Sequence, residues 1–157
     1  TQEFHLPVNR KVIFKMRFLT LLFFSIILLI SCSKSEKISI ILKDSQCGTV
    51  AQKQHIVVDG DEEWDALYKN LLQTNPLNNL SDQELGVFIF LGERSSSGYS
   101  LDFIESYTAD KEFIIVVNEI GPKELDPVLT VMTYPCIALK IPKTDKEIKI
   151  IFKESRE

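Results

Sequence analysis

The sequence predicts an α+β domain, a mainly antiparallel twisted β-sheet or sandwich of about seven strands with one docked amphipathic helix. Three observations predict it. A single segment, Asp61 to Leu72, carries a helical apolar stripe. The remaining apolar segments alternate or run on for only a few residues, and turn-forming residues separate them. No internal repeat or low-complexity segment breaks the series.

The elements follow in order. "KISIILK" (37–43) places Ile38, Ile40 and Leu42 on one face, a strand pattern, and "DSQCGT" turns it. "VAQKQHIVVDG" is a second, weaker strand ending at Asp59-Gly60. In "DEEWDALYKNLL", Trp64, Leu67, Tyr68 and Leu71 stand at i, i+3, i+4 and i+7. Asp61, Glu62 and Glu63 sit where the helix dipole favours negative charge. Asp59, Asp61 and Glu63 also suggest calcium, but the glycine and distal glutamate of an EF-hand loop are missing. "QTNPLNNLSD" (73–82) is a loop around Asn75-Pro76.

Strands alone follow. "GVFIFLGE" is a near-continuous apolar run, and "YSLDFIESY" sets Tyr99, Leu101 and Phe103 on one face. "EFIIVV" comes after a short "TAD" turn, so the two should form a hairpin with Phe103 near Ile115 and Leu101 near Val117. Its unbroken apolar run, Phe113 to Val117, implies a strand covered on both faces. After the loop "GPKELDP", "VLTVMTYPCIALKIP" is extended and broken by Pro135. "EIKIIF" closes the sheet with Ile148, Ile150 and Phe152 on one face.

The first 31 residues are read as a leader rather than fold, with a plausible start at Met16. Arg17 precedes "FLTLLFFSIILLI" (18–30), which as a helix would reach roughly 20 Å, short of a roughly 30 Å hydrocarbon core. A basic residue, a short apolar run and a small residue make a secretory signal. Leu29-Ile30-Ser31-Cys32 resembles the bacterial lipobox, which implies lipidation of Cys32. Multiple acyl chains, each buried methylene contributing about 0.8 kcal/mol, would hold the chain to a membrane permanently. Ser33 in place of Asp favours, by the usual sorting rule, the outer over the inner membrane. Residues 32–36 then form a tether, and 37–157 one globular domain.

Without residues 1–31 the net charge moves from −4 to about −7, because four basic residues and one acidic residue leave. No basic stripe remains, so nucleic acid is not an expected partner. Lys140, Lys143, Lys146, Lys149 and Lys153 read as a solvated strand face. Cys47 and Cys136, exported to an oxidising compartment, are either a disulfide or two small buried hydrophobes. With no Cys-x-x-Cys and only His55 left as a nitrogen ligand, no zinc site or other metal or cofactor is expected.

Catalytic patterns fail one by one. "GERSSSGYS" (92–100) lacks the Gly-x-Ser-x-Gly elbow, and a strand follows where a helix is needed. Neither Gly92 nor Gly98 leads into Lys-Ser/Thr at a helix start, so no phosphate loop forms. No acid spacing singles out a hydrolytic pair. The serine-rich stretch reads as a hairpin loop, with Gly98 at positive φ, that displays Tyr99. Tyr134-Pro135 is either a cis step or, more simply, a bulge or kink on an edge strand.

"LGERSSSGYSLDF", "EFIIVVNEIGP" and "LTVMTYPCIALKIPK", in this order, resemble the C-terminal domain of the PrcB family of bacterial exported proteins, over Gly86 to Lys143. The chain departs from that pattern at Cys136 and in the acidic loop from Glu119 to Asp126, where a partner would touch. The resemblance implies a lipoprotein domain whose named example binds and stabilises a surface protease complex, without catalysis. The resulting expectation is a membrane-anchored, non-enzymatic interaction module for an exported or cell-surface protein, with Arg94, Ser96, Gly98, Tyr99, Tyr134 and Pro135 as partner-binding candidates. A chagasin-like protease inhibitor is the alternative, on the likeness of "SSSGYS" to a Gly-Tyr wedge, although the second and third loops of that family are missing. A hydrolase without a recognisable motif is the third.

Overall fold

A computed structural model describes residues 37–72 and 79–154. The leader, Cys32 and the first part of the loop after the helix lie outside these residues. Among the described residues, seven strands and one helix run in the order β1 (Ser39–Asp44), β2 (Gln54–Val58), α1 (Asp61–Leu72), β3 (Glu84–Phe90), β4 (Ser100–Ala109), β5 (Glu112–Ile120), β6 (Cys136–Pro142) and β7 (Glu147–Glu154). They form the expected α+β sandwich. One sheet has the order β1-β6-β3-β2, the other β4-β5-β7, and only β5 and β7 pair in parallel.

The alternation of side chains across each strand creates three layers. Leu85, Val87 and Ile89 of β3 and Ile137, Leu139 and Ile141 of β6 face Leu101, Phe113, Ile115 and Val117 of the second sheet. The opposite face of β3 and β6 carries Phe88, Phe90, Cys136 and Ala138, which meet Trp64 and Tyr68 of α1. The near-continuous apolar run of β3 follows from this, because both of its faces are buried. Gly86 lies beneath the indole: a Cβ there would fall 2.3 Å from Trp64 Cε3. The fully buried Trp64 needs that missing side chain.

Helix α1 spans the predicted residues. Its N-terminus is fixed by Gly60 O accepting from Trp64 N–H, and Asp61 Oδ1 accepts from Leu80 N–H at 2.8 Å. Tyr99, Leu101 and Phe103 share the inward face, and so do Ile148, Ile150 and Phe152, as the alternation predicts. Phe113 to Val117 are all buried, in the central strand of their sheet.

Four expectations are corrected. The β4–β5 hairpin pairs Phe103 with Val117 and Leu101 with Glu119, two residues from the expected partners. The strands continue through "TAD" to Asp110-Lys111, where Asp110 adopts φ 50°, and a bulge at Ile104 takes up one residue. The sides are unchanged because the shift is even. In β1, a second bulge at Ile41 ends the simple alternation: Ile38 packs between the sheets, Ile41 and Leu42 pack toward the helix, and Ile40 is exposed. Lys140 does not belong to a solvated face. It is 5% exposed, its ammonium donates to Asn79 O, and it stands 5.8 Å from the Trp64 ring centre. Finally, the strands are less sequential than expected, since β6 enters between β1 and β3.

The candidate interaction end of the sandwich

The loop after β3 and the segment before β6 meet at one end of the molecule. Arg94 and Thr133 exchange both backbone hydrogen bonds, at 2.9 and 2.8 Å. Ser97 N–H donates to Leu129 O, and Ser97 Oγ accepts from Leu129 N–H. Ser96 O accepts from the buried Thr133 hydroxyl. Gly98 has φ 92°, and a Cβ on it would sit 2.9 Å from Pro122 Cβ. The positive φ expected there is present, and the close approach to Pro122 is a second reason for glycine.

All six candidate residues therefore gather at this end, though in different roles. Arg94 is held internally. Its Nη2 donates to Glu119 Oε1 at 2.7 Å, Nη1 to Glu93 O, and its guanidinium lies 5.5 Å from the Tyr99 ring centre. Lys53 Nζ donates to the other oxygen, Glu119 Oε2, at 2.6 Å. Burial would raise the Glu119 pKa, but hydrogen bonds and charge from Lys53 and Arg94 prevail and hold it below its ordinary value. Tyr99 is half-buried, its ring resting on the intersheet core and beside Gly121. It is a half-buried core-edge residue rather than a freely displayed one.

Tyr134 is half-buried and donates its hydroxyl to Glu93 Oε2 at 3.1 Å, a bond that raises the tyrosine pKa. No cis peptide occurs among the described residues, and Pro135 does not kink an edge strand. It is buried just before β6, a central strand, and its carbonyl accepts from Leu91 N–H. A proline at a strand entrance removes no ladder bond. Cys47 and Cys136 form a disulfide, Cα to Cα 5.8 Å, so the open choice between bridge and separate thiols resolves to the bridge. Flanking it, Cys47 N–H donates to Tyr134 O and Tyr134 N–H to Ser45 O.

What motif reasoning missed lies along the same end. Leu125 is 97% exposed and Leu129 69%, and Val128, Val131 and Met132 are exposed beside them. The signal was present in "LDPVLTVM", an apolar stretch without alternation ahead of a proline. Val128 to Met132 fall within the expected extended stretch "VLTVMTYPCIALKIP", and Leu125 within the loop "GPKELDP". The strand begins only at Cys136; before it, Leu129 and Thr133 are hydrogen-bonded to the Arg94–Ser97 loop, and Val128, Leu129, Val131 and Met132 keep their side chains exposed. Among the described residues, no group of three His, Cys, Asp or Glu side chains is arranged to hold a metal ion.

Comparison with known families bears on this segment. Residues 85–142 match the PrcB C-terminal family model. The expected span, Gly86 to Lys143, agrees to within a residue at either end. The matched segment runs from β3 to β6 and contains both loops of the candidate interaction end. Helix α1, Cys47 and Lys53, which buttress it, lie outside the match. No curated protein and no solved structure matches the chain.

Proposed function

We propose that this chain is a lipid-anchored, non-enzymatic interaction module of a bacterial cell envelope, and that it binds an exported or cell-surface protein through the loop end of its PrcB C-terminal segment. The observation that carries this reading is the set of exposed apolar side chains between Leu125 and Met132, on a segment that Leu129 and Thr133 tie by hydrogen bonds to the Arg94–Ser97 loop. Apolar side chains presented together on a fixed backbone favour contact with another protein. The polar groups around them, Arg94, Glu119, Glu93 and the Tyr134 hydroxyl, are engaged with one another. They hold the loops in place, which lowers the ordering cost of binding.

An exported protease complex is the partner class supported by the family match, and Cys32 is the attachment point supported by its lipobox context. An outer-membrane location follows from Ser33 on the same sorting rule. Photo-crosslinking in the native envelope tests the reading. A photoreactive residue at Leu129 should give a discrete adduct with an exported protein, and the same probe at Lys149, on the far sheet, should not give that adduct. Equal labelling from both positions, or turnover of ester or peptide substrates by the purified full chain, would defeat it.

A further inference from the structure

Strand β7 is one of the two edges of its sheet, β4 being the other, and its sequence around Ile150 is self-complementary when reversed. Glu147 N–H donates to Lys111 O, and the register aligns Glu147 with Glu112. In a parallel ladder this directs the backbone groups of residues 147, 149, 151 and 153 toward β5. The N–H and C=O groups of Ile148, Ile150 and Phe152 then point away from the sheet, where no described strand pairs with them. The side chains of the same three residues face the intersheet core but are only half-buried. On the β1 side the layers are in contact, and Lys43 reaches Asp102. On the β2 side they stand apart around an open groove of about 480 Å³, lined by His55, Val57, Leu85 and Ile148.

We propose that β7 pairs antiparallel with β7 of a second copy of this chain, centred on Ile150 opposite Ile150. Charge selects this occupant and this register. Centred there, Glu147 faces Lys153 of the second copy and Lys146 faces Glu154, each twice by symmetry. Ile148 meets Phe152 on the core side, and Lys149 meets Ile151 on the outer side. The outward backbone groups of 148, 150 and 152 all find outward groups as partners. A shift of two residues along the partner in either direction places lysine opposite lysine, Lys149 against Lys153 or Lys149 against itself. A shift of one puts core-facing residues opposite outer ones.

Lysines on an edge strand commonly discourage pairing. Here Lys149 is tied to Glu112 at 3.1 Å and Lys153 to Glu105 at 3.5 Å, both across the outer face of the same sheet. They leave the backbone edge open. In the paired state Phe152 of the second copy would come beside Ile148, at the mouth of the groove, and cover Val57 and Leu85. At its C-terminal end β7 adjoins the loop end: Glu154 is aligned with Glu119, and Lys53 Nζ lies 5.1 Å from the Phe152 ring centre.

Sedimentation equilibrium of the full chain in neutral detergent, with Lys153→Glu, Glu147→Lys and the double variant, tests the pairing. The expected result is a reversible dimer that either single exchange weakens about tenfold, through two symmetric like-charge contacts, and that the double exchange restores. Near-ultraviolet circular dichroism from Trp64 confirms that each variant retains its packing. A wild-type chain that remains monomeric overturns the proposal. So does a dimer unaffected by the single exchanges, or one that the double exchange fails to restore, since β7 is then not the surface that pairs.

Discussion

Glu119 shows how a single side chain can organise the loop end. Its two carboxylate oxygens receive Arg94 and Lys53 from different loops, and its side chain is 14% exposed. Because its folded pKa lies below the ordinary 4.5, its contribution to stability is present above that value and is lost as pH falls through the lowered one. Glu119→Gln should therefore cost about 1–2 kcal/mol at neutral pH, discounted for the partly exposed Lys53. It should also flatten the acid side of the stability curve, as read by urea denaturation across pH. Gly86 makes the complementary case in the core. Gly86→Ala would press a methyl group into the Trp64 ring, an overpacking that costs about 1–3 kcal/mol and lowers the thermal midpoint. Nothing in the sequence marked Gly86 for this, since its partner is remote in the chain. The positive φ of Gly98, in contrast, could be read locally from a polar loop turning back into a strand.

At the scale of elements, the readable features were those with a local cause. The α1 stripe, its acidic first turn and the alternation of β4 and β7 all depend on residues a few positions apart. The features that escaped depend on pairing. The β4–β5 register turned on whether "TAD" was a turn or the continuation of a strand, and both bulges are invisible without the partner strand. Lys140 looked like its lysine neighbours and differs because β6 is central and covered by α1. The Cys47–Cys136 bridge is a further element-scale constraint. It joins the loop after β1 to the first residue of β6 across 89 residues, next to Tyr134. A loop that long constrains the unfolded chain strongly, so replacing both cysteines with alanine should cost about 2–5 kcal/mol. Calorimetry of the oxidised and reduced wild type should reproduce most of that difference.

At the scale of the whole molecule, the described residues form a helix-backed sandwich that supports a loop pair at one end, with β1, β2, β4 and β7 as its sheet edges. The layers were legible in composition and periodicity. The candidate interaction end was legible in part: the motif residues are together, but the exposed side chains from Val128 to Met132 were hidden within an apparent strand. In the proposed function the attachment point is Cys32. Cys32→Ala should release the chain into soluble fractions and abolish fatty-acid incorporation, measured by fractionation and metabolic labelling. Retention of both would place the anchor elsewhere.

The central claim is that the loop end acts by contact. The most direct measurement is quantitative mass spectrometry of proteins crosslinked to the full chain in its native envelope, comparing wild type with a Leu129→Asp, Met132→Asp variant. Both substitutions fall on exposed side chains and should leave the fold unchanged. The account predicts one dominant exported partner on the wild type and its loss, by about tenfold or more, from the variant, because each charge must be desolvated at the contact. Equal recovery of that partner from both proteins would contradict it.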